Sequence, residues 1–296
     1  MSGPPRVLSI AGTDPTGGAG IQADLKSIAA TGGYGMAVVT ALVAQNTCGV
    51  REVHAPAAPF LRAQLDAVSD DVVVDAVKLG MLFDVDLIRC VASWLRTHRP
   101  RIVVLDPVMV ATSGDRLLRT DAVDAVRDLL AALGADGDVD VLATPNVPEL
   151  AVLAEDRPAV TIEAVRAQAA RVAAAYGVRV LAKGGHLDAV SADDLLVGPD
   201  GTVVTLTSPR VATRHTHGTG CSLSSALATL RVRHGDWEVA AREAKRWLTE
   251  SLEHADSLEV GRGRGPVSHF AGLWGRAGLS GRPTAPTRSS GHPSPP

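Results

Sequence analysis

The sequence predicts an α/β fold with a mostly parallel central sheet that is covered by helices on both faces. Short β-branched runs alternate with longer segments rich in Ala and Leu, as in successive βαβ units. Residues 103–105 (Val-Val-Leu) form a continuous apolar run, which is typical of a strand buried on both faces. The 296 residues, 46% of them hydrophobic, are enough to bury a large core.

The first six strands and the helices between them follow in order along the chain. β-Branched runs predict strands at residues 7–11, 36–42, 76–79, 102–106, 141–143 and 178–183. Helical periodicity predicts helices at residues 20–31, 59–70, 84–98, 120–133, 147–155 and 161–176. This alternation predicts βαβ units and therefore a mostly parallel sheet covered on both faces.

The last third of the chain has a different pattern. Residues 195–197 and 203–206 flank the segment Gly198-Pro-Asp-Gly201, which predicts an antiparallel hairpin. Two helices are expected at residues 222–233 and 237–254. We expect one domain over residues 1–270, and a disordered tail over residues 271–296 because that segment is rich in Gly, Pro and Ser.

Charge and cysteine content exclude several classes of function. The net charge is −3, so neither a nucleic-acid surface nor a polybasic membrane surface is expected. Three scattered cysteines favour a reducing cytoplasm over a disulfide framework. No apolar run approaches the roughly 18 residues that span a bilayer. Only four of the 29 basic residues are lysines, which suggests that a lysine can mark a site requiring a compact ammonium.

Polar side chains follow five of the predicted strands. Ligands bind outside the carboxyl ends of strands in an open parallel sheet, so these residues are expected to converge on one site. A dinucleotide fold is not indicated, because no acid follows the glycine run at residues 17–20 at the required distance. The chain also has no GxxxxGK[ST] loop. The residues that follow strands are Asp14, Gln45, Asn46, Asp106, Asn146, Glu149 and Lys183.

The sharpest motif is Thr216-His-Gly-Thr-Gly-Cys-Ser222, which precedes a helix of small residues. Backbone amides at a glycine-rich helix start can form an anion cradle, and glycine allows a phosphoryl oxygen to approach closely. In the first turn of a helix, the thiolate of Cys221 would be favoured. Read alone, the motif is equally compatible with a structural turn that buries a cysteine.

Three acidic or amide side chains suggest a Mg²⁺ site. Asn146 and Glu149 are spaced (i, i+3), and such oxygen ligands suit Mg²⁺ that is shared with phosphates. The alternative is a helix cap followed by a solvated glutamate. Asp106 ends a buried strand, where a carboxylate needs a partner or a metal. Lys183 ends another such strand and could reach a phosphate.

Taken together, these motifs resemble the hydroxymethylpyrimidine/phosphomethylpyrimidine kinases of thiamine biosynthesis, within the ribokinase-like superfamily. The resemblance runs from about residue 7 to residue 270. It implies a three-layer α/β/α sandwich and a cytoplasmic homodimer. It also implies MgATP-dependent phosphorylation of 4-amino-5-hydroxymethyl-2-methylpyrimidine, then of its monophosphate. The segments that carry it begin at Ile10, Thr40, Lys78, Leu105, Thr144, Lys183, Thr216, Leu258 and Gly265.

The resemblance also implies roles for individual residues. The substrate pyrimidine would contact Gly12, Asp24, Val43, Gln45, Met81 and Val108. ATP would contact Asn146, Lys183, Thr216 and Lys245, and Mg²⁺ would be held near Asp106 and Glu149, through water. Phosphoryl transfer would take place over Gly218, Thr219, Gly220 and Cys221.

Two positions depart from the pattern of some relatives. Gln45 stands where some members have Glu, so a charge-assisted bond to the aminopyrimidine is lost although an amide can still pair. Cys221 stands where many superfamily members have an aspartate base. A pyridoxine or pyridoxal kinase of the same fold, and a non-catalytic ligand-binding relative, therefore stay open as alternatives.

Overall fold

The computed structural model describes residues 3–109, 117–187 and 191–278. The strands are β1 Arg6–Ala11, β2 Tyr34–Val39, β3 Leu42–Asn46, β4 Gly49–His54, β5 Ala76–Leu79, β6 Ile102–Leu105, β7 Asp140–Ala143, β8 Arg179–Lys183, β9 Asp194–Val197 and β10 Val203–Leu206. The helices are α1 Gly20–Ala30, α2 Ala58–Ser69, α3 Val85–His98, α4 Val123–Gly134, α5 Val147–Leu153, α6 Ile162–Tyr176, α7 Thr219–His234, α8 Trp237–Glu253 and α9 Ala271–Arg276.

Eight strands form one sheet in the order β10-β9-β8-β7-β6-β5-β1-β2. The six strands from β8 to β2 in this order pair in parallel, whereas β9 is antiparallel to both β8 and β10. The turn between β9 and β10 closes through a 3.0 Å bond from the Gly201 amide to the Gly198 carbonyl. The predicted mostly parallel sheet with a late antiparallel hairpin is confirmed.

Helices cover both faces of this sheet. Val103 and Val104 are consecutive and fully buried, yet they belong to different hydrophobic cores on opposite faces. Helices α7 and α8 line one core, and α2, α3, α4 and α6 line the other. The continuous apolar run at residues 103–105 is therefore a strand buried on both sides, as predicted.

Helix α7 runs through the middle of its layer, packed between α1 and α8. Ten of its sixteen residues are buried, and most of those are Ala, Ser or Leu. Small side chains allow this close packing on three sides. As a result, the amino terminus of α7 is fixed beside the carboxyl ends of the central strands.

The second predicted strand is wrong at its carboxyl end. Strand β2 ends at Val39, and the chain starts a separate two-stranded antiparallel sheet, β3–β4. Thr40 turns the chain by donating its hydroxyl to the Met81 carbonyl (2.6 Å), and Ala41 accepts a bond from the Thr13 amide. Gln45 therefore lies within β3 rather than after a strand of the main sheet.

The predicted start of the disordered tail is also wrong. Residues Ala271–Arg276 form α9, in which the Trp274 ring lies 5.9 Å from that of Phe270. The contact between these two rings gives the first part of the tail an apolar interaction, which the Gly, Pro and Ser content of the whole tail did not indicate. The rest of the predicted tail, residues 279–296, lies outside the described residues.

In the part of the chain that is described, no helix has the length and apolar character to cross a membrane.

Candidate active site

A cavity of about 850 Å³ opens at the carboxyl ends of the parallel strands. It lies between the small β3–β4 sheet and the amino terminus of α7. Fifteen of the sixteen site residues predicted from the sequence line it. These are Gly12, Val43, Gln45, Met81, Asp106, Val108, Asn146, Glu149, Lys183, Thr216, Gly218, Thr219, Gly220, Cys221 and Lys245.

Residues 218–221, here called the anion turn, are the N-cap and first residues of α7. Gly218 has φ +78°, and a side chain there would collide with the Gly18 carbonyl. Among the described residues, no side chain caps α7, and its first turn has no acidic residue. A Cβ on Gly220 would lie 3.3 Å from both Asp106 Oδ2 and Lys183 Nζ. The helix amides therefore face an ion pair across a gap kept open by glycine, which suits a phosphoryl group.

The expectation of a favoured Cys221 thiolate is wrong. Burial raises the pKa of Cys221 to about 11, and the carboxylates of Asp24 and Asp106 add to the effect while Lys78 opposes it. Desolvation and negative charge thus outweigh the helix-terminus effect. The thiol is neutral at physiological pH.

Lys183 lies between two buried carboxylates. Its Nζ donates to Asp106 Oδ1 (2.9 Å) and lies 3.9 Å from Glu149 Oε2. Burial raises the pKa of Glu149 to about 7; Asp106 raises it further and Lys183 opposes this. One ammonium does not balance two carboxylates, so the cluster has room for additional positive charge.

Asn146 and Glu149 form a reciprocal capping box at the start of α5. The Glu149 amide donates to Asn146 Oδ1 (2.9 Å), and the Asn146 amide donates to Glu149 Oε2 (2.8 Å). The cap alternative is therefore correct for the local structure. The glutamate is nevertheless buried rather than solvated, and both side chains line the cavity.

Asp14 connects the two glycine-rich loops, a role that the sequence did not reveal. It is fully buried and accepts bonds from the amides of Gly18 (3.0 Å) and Ala19 (2.8 Å). Its Oδ2 also pairs with His217 Nε2 at 2.7 Å. Burial opposes its charge, but the bonds from His217 and Thr16 hold the pKa of Asp14 below its ordinary value. The glycine-rich loop at residues 17–20 is thus held by Asp14. Its Gly18 and Ala19 amides donate to this carboxylate and are not free for a ligand.

The apolar end of the cavity is formed by residues expected to contact the pyrimidine. A Cβ on Gly12 would lie 2.5 Å from Met81 Cε, so a side chain there would displace the end of Met81. Gln45 donates from Nε2 to the Thr13 carbonyl (3.3 Å). Val43 and Met81 belong to one small hydrophobic cluster with Val108. This apolar end, here called the slot, has the Gln45 amide at its edge.

Two of the predicted site residues, Asp24 and Lys245, form ion pairs with other side chains of the protein. Asp24 is fully buried behind the cavity and does not line it, so the expectation of direct substrate contact is wrong for this structure. It pairs with Lys78 at 2.8 Å. Lys245 lines the nucleotide end, but its Nζ donates to Asp194 Oδ2 (2.6 Å). Asp194 also accepts from the Gly184 amide and so connects Lys245 to the loop after Lys183.

The candidate metal ligands are few. Within the described ranges, no group of three or more His, Cys, Asp or Glu side chains could hold a metal ion alone. Asp106 and Glu149 offer two carboxylates with uncompensated charge. Such a set fits a divalent cation that takes its other ligands from water and phosphate.

Comparison with known proteins gives a consistent family signal. A sequence profile described as phosphomethylpyrimidine kinase matches residues 14–268. The chain is 49% identical over 267 residues to the hydroxymethylpyrimidine/phosphomethylpyrimidine kinase of Salmonella typhimurium, covering 90% of this chain and 98% of that one. It is also 57% identical to the thiamine biosynthesis multifunctional protein ThiED of Corynebacterium efficiens, in an alignment that covers 90% of this chain. The chain spans about a third (35%) of that longer relative.

Several solved structures that this chain resembles are kinases. The ADP complex of Bacillus subtilis pyridoxal kinase has a TM-score of 0.81 at 32% identity, covering 91% of this chain and 98% of that one. Phosphomethylpyrimidine kinase from Clostridium difficile has a TM-score of 0.71 at 33% identity, covering 84% and 99%. The predicted ribokinase-like three-layer sandwich is confirmed by these likenesses.

Proposed function

The chain belongs to the phosphomethylpyrimidine kinase family, and from this premise we propose that it phosphorylates 4-amino-5-hydroxymethyl-2-methylpyrimidine with ATP. The monophosphate is then phosphorylated to the diphosphate, for thiamine diphosphate biosynthesis. The observation that carries the proposal is the anion turn facing the Asp106–Lys183 pair inside one cavity. The apolar slot at Met81 suits a small aromatic ring.

Each end of the cavity has a separate task. The substrate ring lies against Met81 and Val43, and Gln45 faces the ring edge that carries the amino group. The hydroxymethyl oxygen then points towards the anion turn. The transferred phosphoryl group lies over the amides of Gly220 and Cys221. Lys183 balances its negative charge. Holding these groups in line contributes most of the catalysis, since phosphoryl transfer depends on positioning and electrostatic stabilisation.

Cys221 is not the base in this proposal. A thiol with a pKa of about 11 stays protonated at physiological pH. It therefore cannot accept the proton of the substrate hydroxyl. The backbone amide of Cys221 supplies the functional group, and its side chain fills space under the transferred phosphoryl group. Loss of a general base is tolerable because the transition state has little need of one.

Asp106 and Glu149 are the residues that would hold Mg²⁺. Both are buried, and Lys183 alone leaves them with excess negative charge. When bound, the cation supplies charge neutralisation to the phosphates of ATP. Thr216 and Lys245 line the opposite end, where the rest of the nucleotide would lie. By family resemblance, we also propose a cytoplasmic homodimer; light scattering on the purified chain would show twice the monomer mass.

The specificity of the slot is tested by steady-state kinetics. We expect kcat/KM for the pyrimidine alcohol to exceed that for pyridoxal or pyridoxine, measured by coupled ADP release with MgATP. The structural likeness to pyridoxal kinases makes these alcohols the natural comparison. A clear preference for a pyridoxine-type alcohol would overturn the assignment, and no ADP release with any of them would indicate a non-catalytic relative.

A further inference from the structure

A buried ion pair lies directly behind the cavity. Asp24 on α1 and Lys78 on β5 both have 0% exposure, and Lys78 Nζ lies 2.8 Å from each carboxylate oxygen. Asp24 also accepts bonds from the hydroxyls of Ser9 (2.5 Å) and Ser225 (2.9 Å). The carboxylate is therefore fully hydrogen-bonded, and the charge of the ammonium is matched.

This pair joins four elements that all contribute to the active site. Ser9 is on β1, which leads to Gly12, and Lys78 is on β5, which leads to Met81. Ser225 lies on α7 one turn after Cys221, so the two share a helix face. The charge of Lys78 interacts with Cys221 and Asp106 as well as with Asp24, which places the ammonium within electrostatic reach of the anion turn.

Stability alone gives little reason to keep such a pair. Replacing a buried ion pair with apolar residues of similar size is often neutral or stabilising, because desolvation of both charges is costly. Burial opposes the charge on Lys78, but Asp24 more than offsets it, so the pKa of Lys78 lies above its ordinary value. Gly80 makes room for the ammonium, since a Cβ there would lie 2.8 Å from Lys78 Nζ.

We infer that Asp24 and Lys78 are positioning residues, which hold the anion turn in its productive place through Ser225 and contact no substrate. The inference rests on the proposed phosphoryl transfer. In this arrangement, Asp24 fixes α7 against α1 and β5, so that the turn amides and Lys183 stay on opposite sides of the transferred group. A small displacement of α7 would reduce turnover without weakening the binding of either substrate.

The first test removes only the bond to α7. Ser225→Ala deletes the hydroxyl that donates to Asp24. Thr229→Val on the same helix is the control because, within the described residues, the Thr229 hydroxyl donates only to the Ser225 carbonyl. We expect Ser225→Ala to lower kcat about tenfold with both KM values within twofold, as misplacement of reacting groups does. Thr229→Val should leave kcat unchanged. Equal kcat in both variants would overturn the inference.

The second test removes both charges while keeping the shape. Lys78→Met combined with Asp24→Asn lets one serine still donate to the amide oxygen while the other accepts from the amide nitrogen. We expect kcat to fall about 100-fold at little-changed KM and a similar melting temperature. The control is Arg6→Met combined with Asp75→Asn, a pair that joins the same part of the sheet at its opposite edge. It should lower stability and leave kcat unchanged. A folded charge-free variant with parental kcat would mean that the pair is only structural.

Failure of the proposed function would be distinguished from failure of this inference. If the parent enzyme turns over no alcohol, the proposed function fails first. Calorimetry with ADP and aluminium fluoride, which mimics the transferred phosphoryl group, then tests the positioning role on its own, because the anion turn would still contact that group. We expect the charge-free variant to bind aluminium fluoride about tenfold more weakly in the presence of ADP, while ADP alone binds as in the parent; equal affinity for aluminium fluoride would overturn the inference. If that variant does not fold, Ser225→Ala gives the answer.

Discussion

The thiol of Cys221 lies at the point where the anion turn enters α7, within reach of buried charges of both signs. Because burial raises its pKa to about 11, the reactive thiolate is scarce at neutral pH. We predict that alkylation of this residue by iodoacetamide is slow at pH 8 and accelerates with each pH unit up to about 11. Mass spectrometry of the modified peptide measures it, with the exposed Cys48 as internal reference.

A thiol that reacts rapidly and levels off near pH 8 would contradict this account. In that case the charge of Lys78 would outweigh burial, and Cys221 would again be a candidate base.

Removing the Cys221 side chain should have little effect on turnover. We predict that Cys221→Ala retains kcat within about tenfold, whereas loss of a general base typically costs about 10²–10⁴-fold. The reason is that the backbone amide, which the substitution keeps, does the binding. Cys221→Ser is the matched variant, and a large loss in Ala that Ser restores would show that the side chain participates.

Lysine usage was one residue-level signal in the sequence, beside the glycine-rich motif at residues 216–222. All four lysines lie in the core or beside the glycine loops, and each makes a specific bond: Lys78 to Asp24, Lys183 to Asp106, Lys245 to Asp194 and Lys26 to the Gly17 carbonyl. The Asp24–Lys78 pair had a signal too. Asp24 and Lys78 both fall at positions that the helix and strand patterns bury, and two buried opposite charges need each other. The pairing itself requires the three-dimensional fold.

At the scale of elements, the β3–β4 sheet is held by the loop before α9. The Arg264 amide donates to the Thr47 carbonyl (3.1 Å), and the Gly263 amide donates to the Thr47 hydroxyl (3.1 Å). A Cβ on Gly263 would collide with the Thr47 backbone. The position of Gln45 in the cavity therefore depends on close packing between two loops far apart in sequence.

Displacing this sheet should weaken substrate binding. We predict that Gly263→Ala raises KM for the pyrimidine alcohol several-fold with a smaller change in kcat, because it pushes the strand that bears Val43 and Gln45 outward. Gly137→Ala is the control, since nothing lies within 4 Å of a Cβ at that position. Unchanged KM in Gly263→Ala, measured in the same assay, would show that the contact does not position the slot.

Most elements were predictable because their local pattern agrees with their tertiary environment. Helix α3 shows this: Asp84 caps it as a polar start signal, and its apolar face packs as the periodicity predicts. The break between β2 and β3 was not predictable. Thr40 and Ala41 are not turn residues, and the chain turns there because of bonds to Met81 and Thr13, which are distant in sequence.

The C-terminal segment affects the stability of the whole molecule through His269. This residue is buried, and its Nε2 lies 3.0 Å from the Ser222 hydroxyl, next to the anion turn. Burial lowers the pKa of His269 to about 3. Between pH 3 and 6.5 the unfolded chain therefore binds more protons than the folded one, so the stability contribution rises with pH through this window and is complete above it.

We predict that acidification below pH 6.5 lowers the free energy of unfolding, by at most about 1.4 kcal/mol per pH unit from this histidine. Urea titrations at pH 4.5, 5.5 and 6.5 on the parent and His269→Gln measure it. The variant should lose this part of the slope, whereas His54→Gln, at an exposed site on β4, should keep it. An identical slope in the His269 variant would contradict the buried neutral state.

The parallel part of the main sheet and its flanking helices followed from the alternation of short apolar strands and longer helices, because a parallel sheet with crossovers has few other solutions; the separate β3–β4 sheet did not. The carboxyl-edge rule also brought Asp106, Asn146, Glu149 and Lys183 to one cavity, whereas the other predicted cavity residues depended on the glycine-rich motif or on the family resemblance. The charge states of the site residues could not be predicted from the sequence. The neutral thiol of Cys221 and the raised pKa of Glu149 depend on burial and on neighbours contributed by other strands.

The central claim is that one cavity carries out two successive phosphorylations of the same pyrimidine. Phosphorus NMR of a reaction containing the pyrimidine alcohol, MgATP and the purified chain tests it most directly. We predict that a monophosphate signal appears first and is replaced by the two coupled signals of a diphosphate ester. A reaction that stops at the monophosphate, or that yields no phosphorylated pyrimidine, would contradict the account.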